Sequence, residues 1–171
     1  QGDLLALDLT TNDWSELPVN PEQPRPWSRK GHTATLVNGS TLIVFGGSAW
    51  VADPDADNSL GFTTKHVNDL WSIDLSGSDG YTWREVHHVG DAPSPREGHT
   101  ATLLANRYLV VIGGYGFGFG YRNETHVLDT HVDPMVWSMP TTSGARMTGR
   151  HGYVAVGLET HHEILAFGGM S

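Results

Sequence analysis

The sequence predicts an all-β fold built from repeated four-stranded units, and three observations support this prediction. Glycine makes up 21 of the 171 residues, well above its usual share of about 7%, which favours turns over helices. A six-residue pattern recurs three times along the chain. No window keeps the apolar period of an amphipathic helix over two turns.

The repeated unit opens with an arginine followed two residues later by a glycine, and a pair of glycines comes further on. The openings are RKGHTA at 29–34, REGHTA at 96–101 and RHGYVA at 150–155. The first glycine of the pair follows the opening glycine by fifteen residues in two copies and by sixteen in the third. Downstream segments also correspond: DLLALDL at 3–9, NDLWSIDL at 68–75 and NETHVLDT at 123–130. A constant interval of this kind indicates one structural unit used repeatedly.

Each unit begins with a predicted β-hairpin. Residues 31–37 and 41–46 are rich in threonine, valine, isoleucine and leucine, and they flank Asn38-Gly39. This dipeptide suits a two-residue turn because both positions tolerate positive φ. By the repeat interval, the equivalent antiparallel hairpins pair 98–104 with 108–113 and 152–158 with 163–168.

A third and a fourth strand complete the unit. The third runs over about 69–75, and the fourth is short and centred on Trp83, with Trp14 and Trp137 at the equivalent positions. We expect the large ring of Trp83 to cover the outer edge of its unit. Prolines and glycines in the connectors are expected to stop strand pairing there. The connectors are 18–28, 86–95 and 139–149.

The chain therefore divides into parts of different completeness. The parts are residues 1–17, the last two strands of one unit; 29–86, a full unit with a long insertion at 48–67; 96–139, a second full unit; and 150–171, the first two strands of a further unit.

These features together resemble the kelch repeat: the glycine pair after an apolar strand, the Asn-Asp-Leu-Trp third strand, the spaced tryptophan and the Arg-x-Gly-His opening. The resemblance covers nearly the whole chain, although His126 stands where the first full unit has Trp71, and Tyr153 replaces the histidine of the opening. It implies a β-propeller of four-stranded antiparallel kelch blades, of the galactose oxidase-like kind.

About three blades are present, and propellers close with about four to eight. The resemblance therefore implies a partial ring, whose open edges need the remaining blades or a second copy of the chain to close it. We expect that the chain alone does not form a closed monomeric ring.

Composition excludes several classes of partner and chemistry. The net charge is −9 and the basic residues are scattered, so the charge pattern of a nucleic-acid-binding surface is missing. No apolar run reaches the ~20 residues that a membrane-spanning helix needs. The chain has no cysteine, which excludes disulfides and thiolate chemistry. The compartment stays open, with the cytoplasm favoured.

Motifs of catalysis and cofactor binding are also missing from the sequence. It has no P-loop, no nucleophile elbow and no zinc-binding His-Glu-x-x-His. We therefore expect no catalytic residue, no cofactor and no enzymatic activity in this segment. Kelch-like copper oxidases use a tyrosine cross-linked to a cysteine, which this chain cannot form.

Two patterns suggest ligand or modification sites. Asp53, Asp55 and Asp57 alternate like the first ligands of a calcium loop, but the bidentate glutamate of that motif is replaced by Thr64, so a solvated acidic loop is the favoured interpretation. Asn38 and Asn123 each begin a glycosylation sequon. The turn and the third-strand pattern already explain both sequons.

The loops predict where a partner binds. In a four-stranded meander, the loops between strands two and three share one face with the connectors into strand one. That face carries the insertion 48–67 together with arginines and a glycine-spaced aromatic run. Arginines can hold carboxylates, and exposed rings serve as interface anchors. The predicted partner-binding residues are Arg29, Arg96, Arg150, Tyr115, Phe117, Phe119 and Tyr121.

Other interpretations of these residues stay open. The arginines could instead form salt bridges between neighbouring blades, and the rings could fold back over their own blade. The function expected is a protein- or peptide-binding kelch module, an adaptor or scaffold. Two alternatives remain. The chain could be part of a kelch-like oxidase or sugar-processing enzyme whose active residues lie in other blades, or a structural component of a large assembly.

Overall fold

The computed structural model describes residues 3–57, 59–77, 80–158 and 162–171. These residues form sixteen strands and no helix, so none of them belongs to a helix that could cross a membrane. The strands are β1 (Leu5–Asp8), β2 (Asp13–Glu16), β3 (Arg29–Lys30), β4 (Thr33–Val37), β5 (Thr41–Ala52), β6 (Phe62–Asp74), β7 (Trp83–Glu85), β8 (His88–Gly90), β9 (Thr100–Leu104), β10 (Tyr108–Ile112), β11 (Tyr115–Gly116), β12 (Gly120–Tyr121), β13 (Thr125–Asp129), β14 (Met135–Ser138), β15 (Val154–Leu158) and β16 (Glu163–Phe167).

All three predicted hairpins are present and antiparallel. β4 pairs with β5, β9 with β10, and β15 with β16. The turns after β4 and β9 use residues with positive φ, including Asn38 at 51°, Gly39 at 75° and Asn106 at 51°. The local turn chemistry and the β-branched content were therefore sufficient to place these strands.

The first full blade consists of β4, β5, β6 and β7, and β3 extends its inner edge by pairing with β5. The insertion 48–67 lengthens two of these strands. β5 and β6 remain paired from Thr41↔Asp74 to Ala52↔Phe62, with an irregularity between Phe45 and Gly47 where Gly46 has φ of 63°. Blade 1 therefore carries a long hairpin that rises beyond the rest of its sheet.

The second full blade contains β9, β10, β13 and β14, and it gains a fifth strand that the sequence did not predict. β8 lies in the connector 86–95 and pairs in parallel with β14. This is a correction, because the prolines and glycines of this connector do not prevent pairing over three residues. A short hairpin of β11 and β12 projects between β10 and β13. We call residues 115–121 the aromatic hairpin.

Two two-stranded sheets flank these blades, β1 with β2 on one side and β15 with β16 on the other. The arrangement is an open arc of blades and not a closed ring.

Most of the core lies between the two full blades. Phe45 of blade 1 is completely buried and its ring lies 5.2 Å from that of Trp137 of blade 2. Trp137 therefore packs into the interface between the two full blades. The other buried members of this cluster are Val37, Ile43, Leu70, Leu109, Val111 and Leu128.

The glycine pairs hold the start of the innermost strand close to the second strand. A Cβ built on Gly114, whose φ is 99°, would lie 2.9 Å from the carbonyl oxygen of Glu97 and 3.0 Å from the Cβ of His99. The nitrogen of Gly114 donates to the carbonyl oxygen of Arg150 in the next blade, at 2.8 Å. This position thus needs both a positive φ and the absence of a side chain.

The residue after the opening glycine joins each blade to the one before it. His99 Nε2 lies 3.0 Å from Thr33 Oγ1 of blade 1. At the equivalent position of the next unit, the hydroxyl of Tyr153 accepts from Thr100 Oγ1 and donates to the carbonyl oxygen of Ile112. Tyrosine therefore makes the same contact between blades as histidine, which explains why the third copy of the opening tolerates the exchange.

His99 makes the stability of the fold dependent on pH. Burial, with further contributions from Arg96 and His32, lowers the pKa of His99 to about 3. Because an unfolded histidine binds a proton below about pH 6.5 and the folded one does not, stability falls as the pH drops. Between about pH 7 and pH 5, this group is expected to remove about 2 kcal/mol from the free energy of unfolding.

Chemical denaturation of the wild type and of His99→Tyr at both pH values measures how much His99 contributes to this change in the free energy of unfolding. The variant is expected to lose about 2 kcal/mol less than the wild type over the same interval. His32 and His126, whose pKa values are also lowered, act in the same direction in both proteins and cancel in the comparison. Equal losses in the two proteins would show that His99 is not held neutral in the fold.

Candidate partner-binding face

The three repeat arginines make equivalent contacts inside their own blades. In each, Nη1 donates to a carbonyl oxygen of the glycine pair at 2.9–3.0 Å, and Nε donates to the carbonyl oxygen two residues upstream at 3.0–3.2 Å. The pairs of acceptors are Gly46 and Trp27 for Arg29, Gly113 and Ser94 for Arg96, and Gly168 and Thr148 for Arg150.

The arginines differ in how far they are enclosed. Arg29 forms a two-point contact with Asp69 of its own blade, at 2.7 and 2.9 Å, and its side chain is 4% exposed. Arg96 is 1% exposed. Arg150 is half-buried, and within the described part of the chain no carboxylate lies within 4.0 Å of it. Only Arg150 retains a guanidinium that a partner could reach.

The aromatic hairpin has a fixed base. The Tyr115 backbone forms two hydrogen bonds with Glu97, at 2.8 and 2.9 Å, and the Tyr115 ring lies 5.4 Å from that of Tyr121. A Cβ on Gly116 would meet the carbonyl oxygen of Pro95 at 2.9 Å. The two tyrosines at the base therefore pack on neighbouring backbone and rings.

The two phenylalanines project from the tip of the same hairpin. Phe117 is 82% exposed and Phe119 is 61% exposed. Arg122 lies over the Phe119 ring, 4.8 Å from its centre, and its Nη1 contacts Glu124 at 3.2 Å. Tyr121 at the base is also 43% exposed. Of the four predicted aromatic residues, the structure thus leaves three rings exposed to solvent, and only Tyr115 is partly buried.

Two histidines from neighbouring blades enclose the base of the hairpin, and the sequence analysis did not single them out. His66 of β6 packs edge-on to Tyr115 at 5.8 Å, and its Nδ1 accepts a hydrogen bond from the Phe117 nitrogen at 2.8 Å. His151, on the other side, stacks on Tyr121 at 5.3 Å. No local pattern marks either residue, because their roles depend on contacts between blades.

A second group of aromatic rings lies at the long hairpin of blade 1. Trp27 and Trp50 both pack against Phe62, each at 6.3 Å between ring centres, and both tryptophans are partly exposed. Alternating aromatic and β-branched residues on both sides of the turn 53–61 would have predicted this extension of the sheet. The long hairpin of blade 1 therefore carries exposed aromatic surface that the sequence analysis did not assign.

The acidic residues of the insertion lie in the turn at the end of that long hairpin. Asp53 accepts a hydrogen bond from the Asp55 nitrogen at 3.2 Å and pairs with Lys65 at 3.4 Å. Within the described ranges, no three histidine, aspartate or glutamate side chains are arranged to hold a metal ion. Asp53 thus organises the turn, and Asp57 is exposed.

The comparisons with known proteins agree with this architecture. A model of the KLHDC2/KLHL20/DRC7 Kelch-repeats domain matches residues 1–171. Acyl-CoA-binding domain-containing protein 5 of Arabidopsis thaliana is 35% identical over 165 residues, covering 96% of this chain and 22% of that protein. Adagio-like protein 1 of Oryza sativa subsp. japonica is 30% identical (99% of this chain, 24% of that protein), and host cell factor of Drosophila melanogaster is 32% identical (98% and 11%).

The chain thus spans a quarter or less of these curated relatives. The solved structure of YjhT has a TM-score of 0.59 to this chain at 20% identity, covering 90% of this chain and 47% of that one. This likeness supports the propeller fold. With the family match over the whole length, it confirms the predicted kelch architecture: the chain belongs to the KLHDC2/KLHL20/DRC7 kelch-repeat family.

Proposed function

We propose that this chain is a protein-interaction module that binds a protein or peptide through the tip of the aromatic hairpin, with Tyr121 and Arg150 nearby. The carrying observation is that Phe117 and Phe119 are exposed on a hairpin whose base is held by hydrogen bonds to Glu97 and by ring contacts from neighbouring blades. Rings on a fixed backbone lose little conformational entropy when a partner buries them. The family supports the proposal, because kelch domains generally bind proteins.

We also propose that this segment has no catalytic role. The polar side chains of the repeat that could perform chemistry are engaged in structural contacts, as Arg29 is with Asp69 and His99 is with Thr33. An arginine and a histidine held in this way stabilise the blades and do not face a substrate. The relatives are at least four times longer than this chain, so the activities of those whole proteins are not evidence for catalysis by this segment.

The proposal predicts separate effects on binding and stability. The probe is a peptide selected on the wild-type chain from a random phage-display library. Phe117→Ala and Phe119→Ala are each expected to weaken its binding about thirtyfold, equivalent to about 2 kcal/mol. Because both rings are exposed, the free energy of unfolding is expected to change by less than about 0.5 kcal/mol. Calorimetric titration and chemical denaturation measure the two quantities.

Tyr108→Ala is the matched control. Tyr108 is also a partly exposed ring beneath an arginine, Arg107 at 5.0 Å, but it lies at the opposite end of β10. It should leave the peptide affinity unchanged. Lost stability with unchanged affinity in the two phenylalanine variants would reject the aromatic hairpin as the binding element.

A further inference from the structure

We propose that His66 is the positioning residue of the aromatic hairpin: its neutral imidazole holds the tip in the binding-competent position, and protonation of the ring releases it. The inference rests on the proposed function, since it names a residue of another blade that controls the same binding element. It predicts a partner affinity that decreases on mild acidification.

The protonation state follows from the hydrogen bond at the tip. The backbone nitrogen of Phe117 lies 2.8 Å from Nδ1 of His66. A backbone N–H can only donate, so Nδ1 must carry a free lone pair and the ring proton must be on Nε2. The contact thus requires the neutral Nε2–H tautomer of His66.

The surroundings of His66 keep the ring in this position. Its Nε2 lies 3.4 Å from Glu97 Oε1, its ring packs edge-on to Tyr115, and its side chain is 12% exposed. On its own and adjacent strands, Lys65 pairs with Asp53, and Ser48 is the residue opposite His66 in β5. Glu97 is therefore the charged group that directly faces the imidazole, and it attracts whichever form carries a proton on Nε2.

Protonation changes what the ring offers to the hairpin. An imidazolium has a proton on both nitrogens, so Nδ1–H would face Phe117 N–H, and two donors cannot form a hydrogen bond. Glu97 still holds the ring through Nε2, so the ring stays near Glu97 while the tip loses its attachment. The free backbone at Phe117 then gains conformations that a partner must suppress on binding.

His66 is the side chain of blade 1 that bonds to the projecting part of the hairpin. At the other side, His151 contacts the hairpin through its ring against Tyr121 and Tyr115, and its own backbone pairs with Met170. Loss of the His66 contact is therefore expected to loosen the tip without detaching the base at Tyr115 and Glu97.

Two variants separate positioning from titration. His66→Asn places an oxygen near the position of Nδ1 and keeps an acceptor that does not titrate, whereas His66→Leu removes the acceptor. The binding probe is a display-selected peptide that requires Phe117, and its affinity is measured at about pH 7.5 and at about pH 5.5. Wild-type affinity is expected to fall about fivefold at the lower pH.

In the same assay, His66→Asn is expected to bind like the wild type at the higher pH and to lose little on acidification. His66→Leu is expected to bind about fivefold more weakly at both pH values. An unchanged wild-type affinity across the interval, or an Asn variant as pH-sensitive as the wild type, would overturn the proposal. His87→Asn, at an exposed histidine in the connector after β7, serves as the control and should keep the wild-type pH dependence.

Nuclear magnetic resonance of the free chain tests the contact without any partner. We expect the nitrogen shifts of His66 to report the Nε2–H tautomer, and the Phe117 amide resonance to change when the ring gains its second proton. A protonated Nδ1 in the neutral form would refute the positioning role, whatever the peptides show. The opposite outcome is also informative. If the resonances are as expected but the affinity of the selected peptides does not depend on Phe117 or Phe119, the contact with His66 exists, and both the proposed function and its regulation by His66 are wrong.

Discussion

Replacing Arg96 by methionine is expected to lower the free energy of unfolding by about 3–5 kcal/mol. The Arg96 guanidinium is buried and donates to the carbonyl oxygens of Gly113 and Ser94 and to the Ser94 hydroxyl. Methionine fills a similar volume, but it leaves these acceptors without a donor, and the hydrogen bond to the Gly113 carbonyl oxygen is buried. Urea denaturation measures the loss.

Arg150→Met is the matched control for this prediction. It removes the same Nη1 and Nε bonds one blade further along, to Gly168 and Thr148. Since Arg150 is only half-buried, water can replace its guanidinium, and the expected loss is about 1 kcal/mol. Equal losses at the two positions would mean that the burial of Arg96 does not determine how much its side chain contributes to the free energy of unfolding.

Gly114→Ala is expected to destabilise the fold by about 3 kcal/mol, combining backbone strain at positive φ with overpacking. The new methyl group would lie 2.9 Å from the Glu97 carbonyl oxygen, and backbone cannot move aside as a flexible side chain can. Glu97 also pairs with Tyr115, so relief of the clash would disturb the base of the aromatic hairpin. Thermal and chemical unfolding provide the measurement.

Gly39→Ala isolates the contribution of φ alone. Gly39 has φ of 75°, and no atom lies within 4 Å of the place that a methyl group would take there, so it shares the strain and lacks the clash. We expect a loss of about 1 kcal/mol at this position. If Gly39→Ala costs as much as Gly114→Ala, the close approach at the glycine pair is not what requires glycine.

The hairpins could be predicted because their signals are local. Asn38-Gly39 lies between two β-branched segments, and the turn and its two strands are adjacent in the chain. The repeat then transferred this prediction to β9 with β10 and to β15 with β16. The parallel pairing of β8 with β14 has no such signal, because Val89 and its partner Val136 are far apart in sequence.

The roles of side chains at the binding face depended on the tertiary structure. The repeat identified Arg29, Arg96 and Arg150 as equivalent, but only the packed blades reveal that the first two are enclosed. Likewise, glycine spacing marked four rings as alike, but histidines of the neighbouring blades pack on the two tyrosines, and the two phenylalanines are the most exposed of the four rings.

The amino-acid sequence alone was sufficient for the all-β class, the repeat and the kelch family. These properties follow from turn chemistry, β propensity and a constant interval, which act over a few residues or are copied from unit to unit. Exposure of Phe117 and Phe119, enclosure of Arg96 and the bond from Phe117 to His66 were decided by tertiary structure. Each of these features requires segments from different blades to pack together. Burial and hydrogen-bond partners depend on that packing, and no single segment determines them.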